Sequence, residues 1–316
     1  MRLKTLFLAA LVIYGLLATI SPANAGPYSF TTIDVPGASY SMALGINNRG
    51  QIVGSFGEHD QSVHGFLATG GVFAPIDVPG AVYTTPTGIN DNGQIVGYFD
   101  LVQGFLNTGG VFIPINPPGS NYTLATGINN SGQIVGYFID AGVFRGFLYT
   151  GGIFTTINVP GAYYTNATGI NDRGQIVGVY SPADATGQHG LGEHGFLETG
   201  GVFTTIDVPG ATYTYAYGMN NRGQIVGSYT DATGEHGFLD TGGVFTPISP
   251  PGASFSRPQG INDRGEIVGY FGDATGGHGF LAAVPAPSSL LLLGSGLAFG
   301  ATWKRLRSRA YSRGSR

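Results

Sequence analysis

The sequence predicts an all-β protein folded as a six-bladed β-propeller. Three observations predict this fold: a Gly-rich composition with few charges, one hairpin sequence that occurs six times, and four short extended segments in each repeat. The 316-residue chain contains 55 Gly and 18 Pro, and only 10% of its residues are charged. This composition is typical of many short strands joined by tight turns. The predicted domains are a signal peptide (1–25), a propeller (26–283) and a C-terminal tail (284–316).

The N-terminus has the three parts of a secretory signal peptide. Arg2 and Lys4 supply positive charge, an apolar run covers 6–20, and Ala23 and Ala25 are the small residues of a cleavage site. We expect cleavage after Ala25 and therefore an exported protein. An uncleaved membrane anchor is the alternative.

The repeated hairpin fixes the number of blades. GINNRGQIVGSF is the first copy, and close variants follow at intervals of 39 to 49 residues. A period of about 42 residues with several β segments per repeat is typical of a propeller, and no helical 3.6-residue pattern competes with it. The Gly that opens each copy lies at Gly45, Gly88, Gly127, Gly169, Gly218 and Gly260.

Each repeat contains four predicted strands. The first two strands are 83–89 and 94–98 in the second repeat. In the repeats generally, the third strand has a His-Gly-Phe-Leu type sequence, and the fourth has a Val-Phe-Thr-Thr-Ile-Asp-Val type sequence, as at 202–208. Asn-x-x-Gly and Thr-Gly-Gly form the turns, and Pro-Gly ends the repeat because Pro lacks a donor and Gly tolerates positive φ.

The strand count predicts how the ring closes. The sixth repeat, from Gly260 to Leu281, lacks a fourth strand, and a surplus copy of that strand lies at 28–35. We expect the N-terminal strand to pair into the last blade and close the ring, which removes an exposed edge. An open β-solenoid capped by this strand is the alternative.

Across 28–282 the repeats resemble the HAF family of extracellular repeats. The motif that carries the resemblance begins at His64, His194, His236 and His278, whereas Gln103 and Arg145 replace His in the second and third repeats. The resemblance implies a surface or secreted repeat protein without a defined chemistry.

The C-terminal tail resembles a PEP-CTERM sorting signal of Gram-negative, exopolysaccharide-making bacteria. Its motif is Val284-Pro285-Ala286-Pro287, followed by an apolar run at 290–303 and a basic end. The resemblance implies a transient membrane anchor and processing by an exosortase, a membrane protease-transpeptidase. Ala286 stands where the motif has Glu, which predicts slower processing, and a plain C-terminal anchor is the alternative.

The charge of the predicted propeller excludes one class of partner. Residues 26–283 contain six Arg, no Lys and all 18 acidic residues, a net charge of −12. This charge repels phosphate backbones, so we expect no nucleic-acid partner. The absence of Cys excludes disulfides and thiolate metal sites.

The repeated residues are interpreted as scaffold because every blade has the same packing problem. The Asn of each GIN sequence is expected to hydrogen-bond its turn. The four His residues are expected to pack or bond turns rather than to bind zinc, which needs three or four converging ligands. Asp-Ala-Thr-Gly, at 184–187, 231–234 and 273–276, is expected to form Asx turns rather than calcium sites, because each loop offers too few carboxylates.

Tyrosines in the variable segment before each GIN are the candidate ligand contacts. Tyr is a rigid amphipathic residue that can stack on sugars. Packing between blades is the competing interpretation. The candidates are Tyr83, Tyr122, Tyr164 and Tyr215.

These observations favour a non-enzymatic protein of the cell surface or exopolysaccharide matrix, without a cofactor. Its expected partners are an exosortase and an exopolysaccharide or a neighbouring surface protein. The alternative is an extracellular polysaccharide hydrolase or lyase, which needs carboxylates or a His-carboxylate pair converging near the ring axis. Asp34, Asp77 and Asp207 recur in the fourth strands and are the candidates for that chemistry.

Overall fold

A computed structural model describes residues 28–187 and 192–284. These residues form 24 strands and no helix, so no helix of the described part is long and apolar enough to cross a membrane. The predicted signal peptide and most of the sorting tail, including Pro285, Ala286 and Pro287, lie outside the described residues.

The strands form six four-stranded antiparallel sheets, which confirms the predicted six-bladed propeller. The N-terminal strand is β1 (Ser29–Ile33). Blade 1 contains β2 (Tyr40–Ile46), β3 (Ile52–Gly57), β4 (Val63–Thr69) and β5 (Val72–Ile76). Blade 2 contains β6 (Thr84–Ile89), β7 (Ile95–Phe99), β8 (Gln103–Thr108) and β9 (Val111–Pro114). Blade 3 contains β10 (Thr123–Ile128), β11 (Ile134–Asp140), β12 (Val143–Thr150) and β13 (Ile153–Ile157). Blade 4 contains β14 (Ala162–Ile170), β15 (Ile176–Pro182), β16 (His194–Thr199) and β17 (Val202–Ile206). Blade 5 contains β18 (Tyr213–Met219), β19 (Gln224–Asp231), β20 (Gly234–Thr241) and β21 (Val244–Ile248). Blade 6 contains β22 (Phe255–Ile261), β23 (Ile267–Asp273) and β24 (Gly276–Ala283), with β1 beside β24.

The first strand of every blade lies next to the axis, and the fourth is the outer edge. In each first strand the pairing register shifts just before the GIN glycine, for example between Ala43 and Gly45. These bulges bend the strand where it approaches its neighbours. A Cβ on Gly218 would lie 2.5 Å from the Gln259 carbonyl oxygen, which is too close for any other residue. The repeated Gly therefore allows the inner strands to meet.

The N-terminal strand lies in the sixth sheet. Ser29 pairs with Ala283 and Ile33 with Gly279, in antiparallel register. The first and sixth blades are also in contact, because Asn262 Nδ2 donates to the Asn47 carbonyl oxygen at 3.1 Å. The blades thus form a ring rather than an open solenoid.

One fully buried Phe per blade forms the centre of the core. Phe66 meets Phe73 of the same blade edge-on, with ring centroids 5.4 Å apart. Equivalent pairs in blades 2 to 5 have centroid distances of 5.3 to 5.6 Å. The buried member is the Phe of the repeated Gly-Phe segment: Phe66, Phe105, Phe147, Phe196, Phe238 and Phe280.

The GIN asparagine bonds its turn, as predicted, and also joins neighbouring blades. Asn47 Oδ1 accepts hydrogen bonds from the backbone N–H groups of Arg49 and Gln51, both at 3.0 Å. Its Nδ2 donates to the Asn90 carbonyl oxygen of blade 2 at 3.1 Å. The same bond connects every adjacent pair of blades.

The turns define two faces of the ring. The Asn-x-x-Gly and Thr-Gly-Gly turns share one face, which we call the hairpin face. Gln175 of the first turn in blade 4 donates to Thr199 of the second at 3.1 Å. The turns between second and third strands lie on the opposite face.

Candidate functional site

The residue three positions before each GIN glycine breaks the repeat symmetry. The next residue, two positions before the glycine, is Ala or Pro in all six blades, whereas the residue three positions before it is different in every blade. In blades 1, 4, 5 and 6 this residue and the residue one before the glycine are both partly exposed, whereas the residue between them is buried, so the two share a side of the strand. The residues one before the glycine line an axial cavity of about 80 Å³. The six variable residues are Met42, Thr85, Leu124, Asn166, Tyr215 and Arg257.

Glu193 lies between blades 4 and 5 and is bound by two tyrosines. The hydroxyl groups of Tyr164 and Tyr215 both donate to its carboxylate, one to each oxygen. Glu193 precedes β16, and the Thr214 N–H of blade 5 donates to its carbonyl oxygen at 2.9 Å. The backbone therefore fixes the carboxylate between the two rings.

Glu235 occupies the equivalent position between blades 5 and 6. Arg257 binds it in a bidentate manner, with Nε–Oε1 of 2.6 Å and Nη2–Oε2 of 2.7 Å. Ser228 donates to the same carboxylate at 2.9 Å, and Arg257 also donates to the Tyr270 hydroxyl at 2.9 Å. Tyr217 lies 3.4 Å from Ser228, oxygen to oxygen, which joins the two halves of the cluster. We call Tyr164, Glu193, Tyr215, Tyr217, Glu235, Arg257 and Tyr270 the tyrosine mouth.

The electrostatics of the mouth keep Tyr164 and Tyr215 neutral. Burial, followed by the hydrogen bond to Glu193, raises the pKa of Tyr164 and of Tyr215 well above the ordinary value. Glu235 also raises the pKa of Tyr215, so this ring lies between the two carboxylates. The Glu235 hydrogen bond raises the pKa of Arg257, which stays charged. Because Tyr164 and Tyr215 already donate their hydroxyl protons to Glu193, the mouth offers a ligand aromatic faces together with hydroxyl and carboxylate acceptors.

Tyr137 of blade 3 is affected by tyrosines of other blades. Burial raises the pKa of Tyr137 in blade 3, and nearby tyrosines raise it further, among them Tyr98 of blade 2 and Tyr217 of blade 5.

The structure brings together two of the four predicted contacts, Tyr164 and Tyr215. Tyr122 packs edge-on against Phe144, with centroids 5.7 Å apart, and contributes to the raised pKa of Tyr98 after the larger effect of burial. Tyr83 is half-buried and lies close to Tyr40, whose pKa it raises, again after burial. Tyr164 and Tyr215 are therefore the two predicted contacts that bind a common group, Glu193.

The other end of the axis carries an alternating ring of three Asn and three Asp. Asn48 Nδ2 donates to the carboxylates of Asp91 and Asp263, both at 3.0 Å, and its N–H donates to Asp91 at 2.8 Å. The pattern continues around the axis, and a cavity of about 70 Å³ lies within it. Although burial opposes it, the hydrogen bonds from Asn48 and Asn130 lower the pKa of Asp91. This Asn/Asp ring comprises Asn48, Asp91, Asn130, Asp172, Asn221 and Asp263.

The Asn/Asp ring satisfies its own polar groups. Each Asn amide spans two carboxylates, and each backbone N–H of the ring donates to the next blade. Within the described ranges, no group of three or more His, Asp or Glu residues is arranged to hold a metal ion.

The histidines contact turns and outer strands, as the packing interpretation predicted. His278 bonds the Thr275 hydroxyl at 2.9 Å through Nε2, and Asp34 at 2.9 Å through Nδ1. His64 pairs with Asp77 and His194 with Asp207 in the same manner. These pairs join third and fourth strands, so the three Asp residues suggested for hydrolysis do not converge at the axis.

The Asp-Ala-Thr-Gly loops form the predicted Asx turns. Asp231 Oδ1 accepts from the Thr233 N–H at 2.7 Å and from its hydroxyl at 2.6 Å. The loops that begin at Asp184 and Asp273 have the same geometry.

Comparisons with known proteins bear on the fold alone. No protein-family model and no curated protein matches the chain. The β-propeller domain of the Trilobed protease from Pyrococcus furiosus, which has an open velcro topology, is similar with a TM-score of 0.50 and 12% identity over 78% of this chain and 79% of that one. An Aleuria aurantia lectin mutant in complex with Fucα1-6GlcNAc gives a TM-score of 0.47 and 12% identity over 82% of this chain and 100% of that one. The likeness to the protease domain supports a propeller architecture and nothing finer.

Sequence reasoning missed Glu193, Glu235 and Arg257. Their signal was present as departures from the repeat. The position before the repeated His is Glu193 in blade 4 and Glu235 in blade 5, whereas it is Val63 in blade 1 and Gly277 in blade 6.

Proposed function

We propose that the protein is a secreted, non-enzymatic binding protein of the cell surface or exopolysaccharide matrix, and that its tyrosine mouth binds a neutral polysaccharide. The observation that carries the proposal is the bridge from Tyr164 and Tyr215 to Glu193 between blades 4 and 5. Aromatic faces beside oriented acceptors suit sugars, which present C–H faces and hydroxyl edges.

The charge of the mouth favours a neutral glycan over an acidic one. Among the described residues Glu193 forms no ion pair, and Arg257 is already engaged by Glu235. The predicted propeller carries −12 overall. A uronic-acid polymer would be repelled at moderate ionic strength.

Neither Tyr164 nor Tyr215 is suited to act as a general base, because their raised pKa values keep both hydroxyl groups protonated. Glu193 and Glu235 at one mouth nevertheless support a second candidate, polysaccharide hydrolysis. The test is release of reducing ends from any glycan that the protein binds. Hydrolysis that Glu193→Gln abolishes would establish the enzyme; retention without cleavage favours the binding protein.

Binding is tested with residues 26–284 on a glycan array and on immobilised neutral exopolysaccharide. Tyr164→Phe/Tyr215→Phe removes only the two hydroxyls at Glu193, and we expect at least a tenfold loss of affinity, about 1.4 kcal/mol. Tyr180→Phe is the matched control, because its hydroxyl bonds Thr205 in an outer strand at 3.0 Å. Equal loss in both variants, or no retention of the parent protein, would contradict the proposal.

We further propose that the tail is a sorting signal that anchors the precursor in the membrane before an exosortase removes it. The supporting observation is the order of motif, apolar run and basic end in residues 284–316. Ala286→Glu should raise the cleaved fraction in a host that contains an exosortase. If both the parent protein and Ala286→Glu keep the tail in that host, the segment is only a membrane anchor and the sorting proposal is wrong.

We also propose that β1 closes the ring in the folded protein. Support comes from the register of β1 with β24 and from the packing of Phe30 against Phe280, with centroids 5.9 Å apart. Deleting residues 26–34 should lower Tm and expose the edge of β24. An unchanged Tm would refute closure by this strand.

A further inference from the structure

A rim of exposed aliphatic residues follows the Thr-Gly-Gly turns of the hairpin face. Isolated surface aliphatics need no explanation, but here one recurs at the same position in five blades. The sixth blade has Ser29 there, beside the ends of the described chain. The exposed fractions of these residues are 71% for Val72, 62% for Val111, 69% for Ile153, 66% for Val202 and 66% for Val244.

The chain leaves the propeller through the same face. β24 ends beside the start of β23, where Ala282 pairs with Ile267, so Val284 emerges at the hairpin face and is 62% exposed. Only residues 284–289 separate this point from the apolar run that begins at Leu290. Six extended residues reach about 20 Å. A bilayer that held the apolar run would thus lie within about 20 Å of the hairpin face.

The charges of this face permit contact with lipid headgroups. Four of the six Arg residues of the predicted propeller lie at hairpin tips and are exposed: Arg49, Arg173, Arg222 and Arg264. Carboxylates share the face, but those of the Asn/Asp ring accept hydrogen bonds within the ring, and Glu266 pairs with Arg264 at 2.6 Å. Attraction is therefore mainly apolar, with Arg49, Arg173 and Arg222 available for phosphate groups, because Arg264 is already paired with Glu266.

We infer that the hairpin face rests on the phospholipid surface while the tail is anchored, so that the tyrosine mouth points away from the membrane. The inference rests on the membrane anchor given under the proposed function. The short connection keeps the face at high local concentration near the bilayer, so weak contacts by single aliphatic residues suffice to orient it. A precursor held this way presents its glycan-binding end outward before release.

The orientation is measured on residues 26–316 in vesicles of phosphatidylethanolamine and phosphatidylglycerol. The chain has no Cys, so Val202→Cys on the rim and Ala232→Cys on the opposite face each accept one fluorophore. Lipid with a spin-labelled headgroup should quench the dye at position 202 at least fivefold more than the dye at position 232. Equal quenching in protein that floats with the vesicles would overturn the orientation and leave the anchor intact. Protein that does not float would refute both.

A second variant tests the aliphatic rim itself. Val72→Asp/Ile153→Asp/Val244→Asp should reduce quenching at position 202 at least threefold while the protein still floats. Thr31→Asp/Thr155→Asp/Thr204→Asp is the control, because it adds the same charge at exposed outer-strand positions two residues beyond the rim. Unchanged quenching in the rim variant, or an equal reduction in the control, would refute a role for the aliphatic residues.

Discussion

Replacing Asp91 by Asn tests whether the alternation of the Asn/Asp ring stabilises the propeller. The Asp91 carboxylate accepts three hydrogen bonds, from the Asn48 N–H and from the side-chain amides of Asn48 and Asn130. In Asp91→Asn one oxygen can still accept from the backbone, but an NH₂ group faces the two amides that formerly donated to it. Two charge-assisted hydrogen bonds are lost.

The expected cost follows from these contacts. A hydrogen bond to a charged group contributes about 1.5–3 kcal/mol. Asp91 is only half-buried, and its removal relieves repulsion from two other carboxylates, so we take the lower end and expect a net loss of about 2 kcal/mol. For a domain of this size that corresponds to a decrease in Tm of about 4–8 °C. Thermal unfolding followed by circular dichroism measures it.

The control for Asp91→Asn exchanges Asn and Asp at all six ring positions. This variant restores the alternation with every residue changed, so it should unfold near the parent Tm. If Asp91→Asn is as stable as the parent protein, carboxylate repulsion offsets the hydrogen bonds and the reasoning fails. A complete exchange that is less stable than Asp91→Asn would show that residue identity, rather than alternation, matters.

Three further predictions concern acid, close packing and alkali. Hydrogen bonds lower the pKa of Asp91 and Asp273 in the folded state. The stabilisation that these carboxylates contribute should therefore be complete above about pH 4 and decrease at lower pH, because the unfolded chain then binds more protons. Urea midpoints that stay constant from about pH 5 to 3 would contradict this prediction. Gly218→Ala should lower Tm more than Ala232→Gly, because its Cβ would lie 2.5 Å from a carbonyl oxygen, and equal Tm values would show that the inner strands can separate. Tyr164 and Tyr215 should remain protonated at about pH 11, so replacing both with Phe should leave the tyrosinate absorbance near 295 nm almost unchanged at that pH; a clear decrease would contradict their raised pKa values.

The sequence was sufficient for the architecture because the repeat states the same local chemistry six times. Asn-x-x-Gly and Thr-Gly-Gly specify turns, and the intervening segments have strand length and pattern. The missing fourth strand in the sixth repeat also indicated where β1 lies. Local rules and the overall fold agree in every blade, which is what makes such a fold predictable.

The site could not be predicted to the same extent because it depends on contacts between different blades. Tyr164 and Glu193 are 29 residues apart, and Glu235 and Arg257 are 22 apart, at distances set only by the ring. Repetition draws attention to the shared residues, whereas the mouth consists of the positions that differ. Residue type alone indicates the tyrosines, but it does not indicate their acidic partner.

The most direct test of the account is the affinity of residues 26–284 for a neutral exopolysaccharide, measured for the parent protein and for Glu193→Gln. The carboxylate is the acceptor that tyrosines of two blades bind, so the account predicts roughly a tenfold or greater increase in Kd for Glu193→Gln. The Kd is measured well below the Tm of both proteins, because the variant also weakens two charge-assisted hydrogen bonds. An equal Kd for the two proteins would show that the glycan binds elsewhere on the propeller, and the tyrosine mouth would then have no part in binding.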